Sequence, residues 1–494
     1  MTKTEIVPDN SGVLMALLKP LPSPSVPPDS GLASSYNYLN FASFASLFPS
    51  VDQSGPAMLF RLGASLFDPI NLHLGSQHNT SPITMLSPIT PDISTRVTIL
   101  RRKTSLGNWL EDAIKSDVEG DLKKEANGLA SGGMFHPDIF SIWGSRIFLA
   151  DVQSSANTVF IHLAGHQVEQ ACLVAATGGY PKLSTLISQT GGDSLFRSEI
   201  QEQLRIWKSE NLSPSAGVGF GNGLIERGVW KIYRLLGGIL DDEDELADNL
   251  AGICSGLDWK RIFGLFLWYS QGIDAPISKV IEAYENLVFR QSNLTSSSSI
   301  YNNNKAKPLP PWLLHVQRIG RPAALLTKWK NTMASSNTAT EPNDPLYALI
   351  RLHADPAMSL ANTLNPFSFS SSLLESGIPL CWHLYIILSR VLRVKDFADR
   401  RPVVRPFVNG GGSDEDGNRC EKLTFEGYSA TADLLSSAYA FELENMGMIP
   451  EAIFVLLHLQ CSIEWVFLVS SSTCDSHEHV ADHRNVRIFC SLWS

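Results

Sequence analysis

The sequence predicts an all-α protein: an elongated, α-solenoid-like stack of short amphipathic helices with long disordered loops between them. Three observations carry that prediction. Apolar residues recur at the helical period through most of the chain, without the alternation that marks strands. Glycine and proline pairs fall where those periodic runs end. The composition, 44% hydrophobic and 18% charged over 494 residues, suits a globular chain that buries apolar faces.

The clearest run is 157 to 208. Phe160, Ala164, Val168, Ala171 and Ala175 form one helical stripe. Gly178-Gly179 ends it and Pro181 opens the next helix, which Leu183, Leu186 and Ile187 carry to Gly191-Gly192. Asp193 then caps a third stripe of Phe196, Ile200, Leu204 and Trp207. Three helices joined by tight turns form a layer that needs neighbours on its open faces.

Upstream, residues 1–56 are rich in Pro and Ser, with "LPSPSVPPDSG" at their centre, and are expected to be disordered. Their apolar run Gly12 to Leu18, like Ala57 to Leu62 after them, shows no alternation. Residues 57–156 read as N-terminal helices and loops. A helix from Ala57 ends at Asp68-Pro69, and the stretch to Thr95 reads as loop. A second helix is built on Leu106, Trp109, Leu110 and Ile114, with Arg101-Arg102-Lys103 as its solvated start. Residues 127–156 are Gly-rich and include surface loop.

Downstream, Trp259, Ile262, Phe263, Phe266 and Tyr269 make a buried face after the cap Asp258. Ile277, Val280, Ile281, Tyr284, Leu287 and Val288 repeat it after Asp274. Residues 291–310, 331–344 and 400–426 are surface loops within the stack. Between them, "DPLYALIRLHADP" and "DPAMSLANTLNP" each start a helix near Asp-Pro, and "LCWHLYIILSRVLRV" is a strongly apolar helix. Ser429 to Met446 and Pro450 to Leu459 give the last two stacked helices, which close a helical domain of residues 157–460. Tryptophans 230, 259, 268 and 382 sit at helical spacing and are expected in the core.

Several of these blocks carry a resemblance. "HLAGHQVEQACLVAATGGYPKLSTLISQTGGD" with "FRSEIQEQLRIWK", then "WKIYRLLGGIL", "GLDWKRIFGLFLWYSQG" with "ISKVIEAYENLVF", "DPLYALIRLHAD" and "ATADLLSSAYAFELENMGMIPEAIFVLLHL" resemble the nuclear protein 96 family in its fungal-type form. The resemblance covers roughly Ile99 to Leu459. It implies an α-helical scaffold nucleoporin of the Y-shaped complex in the outer ring of the nuclear pore, with no catalytic role. It implies a crown, including much of 157–290, folded back over a trunk, and support of mRNA export and protein transport. Its implied partners are related helical Y-complex nucleoporins and a β-propeller subunit shared with a vesicle coat. The propeller would be completed by N-terminal strands for which residues 1–56 show no strand pattern. Family members can arise from a self-cleaving precursor. After Leu459 the resemblance stops; residues 461–494 have no helical period and are expected to be a truncated or mis-spliced reading of a longer gene.

Chemistry-bearing patterns are few. The net charge of −10 argues against a direct nucleic-acid grip. Glycines 217, 219, 221 and 223 match neither GxGxxG nor the P-loop. The acidic run Asp241 to Glu245 lacks the EF-hand's Gly and terminal Glu and reads as a helix N-terminus. His162 and His166 are four apart but without the Glu of HExxH, and tertiary packing or exposure is their expected role. Cys474, His477, His479, His483 and Cys490 fit no standard zinc spacing. The odd cysteine count of seven, with no CxxC and no secretory signal, points to a reducing compartment. Ala452 to Ser470 approaches membrane-span length, but His458, Gln460 and Glu464 make insertion costly, so no transmembrane segment is expected. No nucleophile context such as GxSxG appears, so no catalytic, cofactor or metal residues are assigned. The alternatives are a vesicle-coat scaffold, a generic helical-repeat adaptor binding short peptides and, last, an enzyme.

Overall fold

The computed structural model describes residues 2–8, 14–20, 39–70, 91–131, 155–191, 194–214, 224–240, 252–254, 256–294, 306–313, 343–370, 377–400 and 427–459. Apart from one hairpin, its described elements are helices: α1 Phe41–Ala45, α2 Gly55–Phe67, α3 Pro91–Ser131, α4 over 155–164, α5 Val168–Thr177, α6 Pro181–Ile187, α7 Ser194–Ser209 and α8 Arg227–Leu236. Then come α9 Trp259–Leu265, α10 Ile277–Leu294, α11 Pro345–Ala354, α12 Leu360–Thr363, α13 Pro366–Phe369, α14 Ile378–Tyr385, α15 Ala430–Asn445 and α16 Ile449–Leu456. The protein is an all-α stack of helices, as its periodicity predicts. One connected hydrophobic core runs from Phe41 to Val455, so the described helices pack as one body.

The long helix α3 lies at the centre, against α2 on one side and α9 on the other. Helices α5 and α6 pair, α7 packs on α8, and α10 joins α9 to α11. Helix α2 also meets α11, so the chain's early helices close against its later half. The end of the stack is α14, α15 and α16, each packed on the next. Trp382 at its centre is fully buried, edge-on to Phe454 at 6.4 Å. Burying side chains of this size stabilises by about 2–3 kcal/mol apiece, which is why the period-3.6 apolar pattern suffices to specify the stack.

Several expectations need correction. Disorder does not extend over all of residues 1–56. Thr2–Pro8 (β1) and Leu14–Pro20 (β2) form an antiparallel pair, in register from Thr2 opposite Pro20 to Pro8 opposite Leu14. β2 rests against α14 and α16, and such support is what an isolated two-stranded hairpin needs. Farther on, α1 starts at the cap Asn40, whose side chain accepts from the Ser43 amide, and buries Phe41 and Phe44. Asp68, read as a helix end, also receives the Phe41 and Ala42 amides at 3.0 and 2.8 Å. The proline-rich centre, residues 21–31, lies outside the described residues.

The triplet of helices over 157–208 is instead four. Helix α4 stops at Gly165-His166, where His166 takes a left-handed φ of 56° and Gln167 donates back to the His162 carbonyl at 2.9 Å. Gly165 is needed because a Cβ there would lie 2.7 Å from Val118 of α3. Helix α3 begins at Pro91 within the expected loop and runs to Ser131, into the Gly-rich stretch. "DPAMSLANTLNP" starts its helix at Leu360 rather than at Asp355-Pro356, after the cap Ser359, and restarts at Pro366. The 291–310 loop is narrower than expected: α10 reaches Leu294, and Ala306 and Leu309 are buried again. Two apolar helices end in π turns, Phe266–Ser270 after α9 and Ile386–Val391 after α14, which no pattern announced.

Candidate functional site

The buried polar and charged side chains of the stack gather at the joints between its helices. The principal joint surrounds the π turn Phe266–Ser270, where α3, α7, α8, α9 and the α4–α5 corner meet. Trp268 leaves that turn and slides between two glycines. A Cβ on Gly264 would approach its ring to 2.4 Å, and one on Gly107 of α3 would reach its Nε1 at 3.1 Å. The His166 ring lies flat on the indole at 4.6 Å between centroids and 8° between planes. Its Nδ1 meets Glu111 Oε1 of α3 at 2.5 Å. Tyr269, next along, is buried and donates its hydroxyl to the Leu163 carbonyl at 2.8 Å. Burial, reinforced by the Glu111 charge, pushes that hydroxyl far above its ordinary pKa, so it serves only as a donor.

The segment after the turn, 270–274, is clasped by cations from two helices. Arg197 of α7 donates to the Ser270 and Gln271 carbonyls at 3.4 and 3.3 Å, and Lys103 of α3 to the Gly272 carbonyl at 2.6 Å. Arg96 pairs with Asp274 through two hydrogen bonds of 3.0 and 2.7 Å. Basic side chains at the carbonyl end of a helix complement its dipole. The expected solvated role of Arg101-Arg102-Lys103 is thus overturned for two members. Lys103 is only 9% exposed, with its ammonium brought down to about 8 by burial and by the charge of Arg197. Arg102 donates to the Ser65 and Asp68 carbonyls of α2 and its C-terminal end. Lying mid-helix on the inner side of α3, these two residues cannot be a solvated start.

A second joint ties α9, α10 and α11. Asp344 is the expected cap of α11: its carboxylate accepts from the Leu346 amide at 2.9 Å and from Trp259 Nε1 at 3.1 Å. Burial pushes that carboxyl up to about 6 despite these donors and the nearby Lys260. Arg261, buried on α9, bridges Asp121 of α3 at 2.6 Å and Asp258 at 2.7 Å. Asp258 therefore anchors an arginine, and its side chain makes no capping hydrogen bond. At the C-terminal end, Arg400 and Asp396 form a buried ion pair, and Arg400 also reaches the Gly427 carbonyl at 2.7 Å. Asp399 accepts from Ser429 Oγ at 2.6 Å and from the Thr431 amide and hydroxyl, each at 2.8 Å. Burial alone would raise its pKa, but these donors outweigh it and hold the carboxyl below the ordinary value.

His162 and His166 do not converge. With the helix broken between them, His162 Nδ1 meets Gln167 Oε1 at 2.8 Å while His166 turns to Trp268 and Glu111. Among the described residues no cluster of His, Cys, Asp or Glu could hold a metal ion, and no helix is long and apolar enough to cross a membrane. Glycines 217–223, the acidic run 241–245, the stretch 460–470 and the Cys474–Cys490 group lie outside the described residues. Among the described residues Cys172, Cys254 and Cys381 form no disulfide. Trp230, Trp259 and Trp382 are core, as expected; Trp268 is half-buried in its glycine slot.

The family described as Nuclear protein 96 matches residues 157–479, past the Leu459 at which the sequence reading ends the resemblance. The Arabidopsis thaliana "Nuclear pore complex protein NUP96" is 25% identical over 300 residues, 60% of this chain and 22% of that protein. "Nucleoporin nup189" of Schizosaccharomyces pombe is 27% identical over 319 residues, 63% of this chain and 14% of that protein. The Drosophila melanogaster "Nuclear pore complex protein Nup98-Nup96" is 22% identical over 298 residues, covering 60% of this chain and 12% of that protein. The chain thus spans less than a quarter of the length of each of these relatives.

Proposed function

The chain belongs to the nuclear protein 96 family, and from that membership we propose that it is a structural subunit of the nuclear pore complex, placed in the outer-ring Y-shaped assembly. The observation that supports this reading most is the coincidence of two spans. The described residues of the family match, which runs over 157–479, form helices that share one continuous core and spend their buried charges on joints between layers. Arg261 ties α9 to α3, Asp344 ties α11 to α9, and Arg400 ties the segment at Asp396 to the chain entering α15. Such contacts join one layer of a stack to the next.

The mechanism is associative. Large helical faces bind related helical subunits, and support of mRNA export and protein transport follows from the ring they build. The hairpin β1–β2 supports a contact with a β-propeller partner by strand addition, and a partner bound there would lie near α14 and α16, against which β2 rests. The test is affinity capture of the tagged chain from its own cell extract, read by mass spectrometry, with imaging of the same tag. Recovery of the other Y-complex subunits and a nuclear-rim signal are expected. Recovery of vesicle-coat components with cytoplasmic puncta would overturn the reading. Loss of the propeller alone on deletion of residues 1–20 would assign that contact to the hairpin.

A further inference from the structure

The last helix pair leaves its largest exposed side chains apolar. On α15, Leu434 is 71% exposed and Phe441 64%, seven residues apart on one side of the helix, with Ser437 and Ala438 between them. Met446 and Ile449 follow at the turn into α16, and Leu457 is exposed at its end. Half-buried Glu442, Glu444 and Glu451 border the stripe. From Leu459 the chain continues into residues 460–470, QCSIEWVFLVS, where Ile463, Trp465, Val466, Phe467, Leu468 and Val469 are apolar and only Glu464 is charged. The family match runs through this segment to residue 479, so the segment belongs to the same matched unit as the helices before it. An open apolar stripe and an apolar run thus stand next to each other in the chain.

We propose that residues 460–470 fold back on the α15 stripe and cover it in cis, closing the end of the stack. Reach permits it. Trp382 packs on His458 near the end of α16 at 5.6 Å and donates to Ser436 of α15 at 3.2 Å, so the chain leaves α16 beside the middle of α15. Leu434 and Phe441 lie ~10 Å apart along that helix. The link from Leu459 to Ile463 reaches about 13 Å when extended. The tether decides between occupants. A link this short holds the segment at an effective concentration on the order of millimolar, which a second copy or a separate protein at micromolar concentration does not match. A bilayer is the other apolar destination, but α16 is not free to join it, because Phe454 and Val455 are buried and Phe454 stands against Trp382. Residues 460–470 alone, even as a helix, would cover ~16 Å, about half of the hydrocarbon thickness. Glu464 fits the same placement. Gln460, Ser462 and Glu464 alternate with Cys461, Ile463 and Trp465, so an extended strip turns the polar three away from the stripe and its bordering glutamates. The segment then serves as the cap that a stacked-helix array needs at its end. The proposal goes beyond the scaffold reading and does not depend on it.

The test uses the full chain in two ways. A photoreactive benzoylphenylalanine at position 441 is illuminated in an equal mixture of isotopically light and heavy chains at micromolar concentration, and the products are read by mass spectrometry. Cross-links from 441 to residues 460–470 within one molecule are expected. Limited digestion with chymotrypsin then compares cutting after Trp465 and Phe467 in the parent, in Leu434→Glu/Phe441→Glu and, as a control, in Leu173→Glu on α5. Cutting should be slow in the parent, at least ~10-fold faster in the double variant, since it tracks the uncovered population, and unchanged in the control. The substituted side chains are exposed, so unchanged helical content confirms that the variants are folded. Cross-links from 441 that never reach 460–470 overturn the proposal, and light–heavy cross-links overturn it in favour of a second copy. So does a parent cut as fast as the free peptide 458–472, or a double variant cut no faster than the parent. Protection that appears only with added phosphatidylcholine vesicles would overturn it in favour of a bilayer.

Discussion

The π-turn joint and the terminal helix pair are built from the same parts and arranged in opposite ways. Around Trp268, charge faces inward: Lys103 and Arg197 are spent on backbone carbonyls and Glu111 on His166. The outward face of neighbouring α10 carries charges of its own, Lys279 and Glu282, open to solvent. At the terminal pair, Asp399 and Arg400 fasten the start of α15, the charges along the two helices are all acidic and half-buried or buried, and the most exposed large side chains, Leu434 and Phe441, are apolar. A stacked-helix protein can therefore be read by asking where its charges go. Those turned inward mark joints the chain uses for itself.

The largest expected effect tests whether the terminal pair is a separately breakable unit. Trp382→Ala removes a fully buried indole that donates to Ser436 Oγ at 3.2 Å and stands among Tyr439, Phe454 and His458. Large-to-small changes of this kind cost about 3–5 kcal/mol. Urea titration followed by hydrogen exchange should show α14–α16 losing protection first, with the π-turn joint still closed. A uniform loss across both regions would show that they unfold as one cooperative unit and would remove the distinction.

Acid should act through two buried histidines, one where α11 meets α2 and one at the terminal pair. His353 of α11 packs edge-on to Phe67 at 5.4 Å, and His458 to Phe454 at 5.0 Å. Burial pushes both imidazoles down to about 4, helped by Arg102 and Lys395 at His353 and by Arg390 at His458. Because the folded pKa lies below the unfolded value of about 6.5, the unfolded chain binds the proton first. Stability is then constant above that value and falls as pH drops toward 4, by roughly 2 kcal/mol per histidine at pH 5. Asp344 acts with the opposite sign. Its folded pKa of about 6 exceeds the unfolded one, so protonation below pH 6 restores about 1 kcal/mol over the same interval. His458→Leu should flatten the pH profile of the terminal pair and leave that of the central joint unchanged. An unaltered terminal profile would mean that His458 is not held neutral.

What could be read from the sequence divides along the same line. Periodicity located the helices and the buried faces of Trp259 to Tyr269 and Ile277 to Leu287, because burial leaves a mark at every third or fourth residue. The cap at Asp344 followed from Asp-Pro alone. Periodicity was blind to contacts between distant segments. It could not show that Gly165 faces Val118, which is why α4 and α5 read as one helix. Nor could it distinguish a solvated Lys103 from one reaching Gly272, 169 residues away. The hairpin was missed because β2 owes its placement to α14 and α16, which lie hundreds of residues downstream. The spacing of Leu434 and Phe441 could not show that they face outward, because only burial shows which face of α15 is outside.

A smaller effect sharpens the central half of the comparison. Gly264→Ala places a methyl against the Trp268 ring, which Gly107 and His166 prevent from moving aside. Overpacking costs about 1–3 kcal/mol, against a gain of up to about 1 kcal/mol from helix propensity, so a net loss of about 1–2 kcal/mol is expected. Equilibrium denaturation would check it, and a stabilised variant would show that the slot is loose. Gly120 of α3 has open space at its Cβ position, so Gly120→Ala should stabilise through propensity alone.

The smallest effect separates the members of the cationic clasp. Arg96 and Asp274 are well aligned, yet their side chains are 66% and 51% exposed. Water competes for both groups and salt screens them, so Arg96→Ala should cost less than ~1 kcal/mol and nothing measurable at high ionic strength. Lys103 differs: its side chain is buried along α3, and Lys103→Ala removes both that packing and a charge-assisted, partly buried hydrogen bond to the Gly272 carbonyl. Its loss should be about 1–3 kcal/mol and insensitive to salt. Thermal melts of the two variants at low and high salt distinguish the cases. Equal and salt-sensitive losses would mean that the clasp works by surface attraction, and that charge turned inward does not mark a joint.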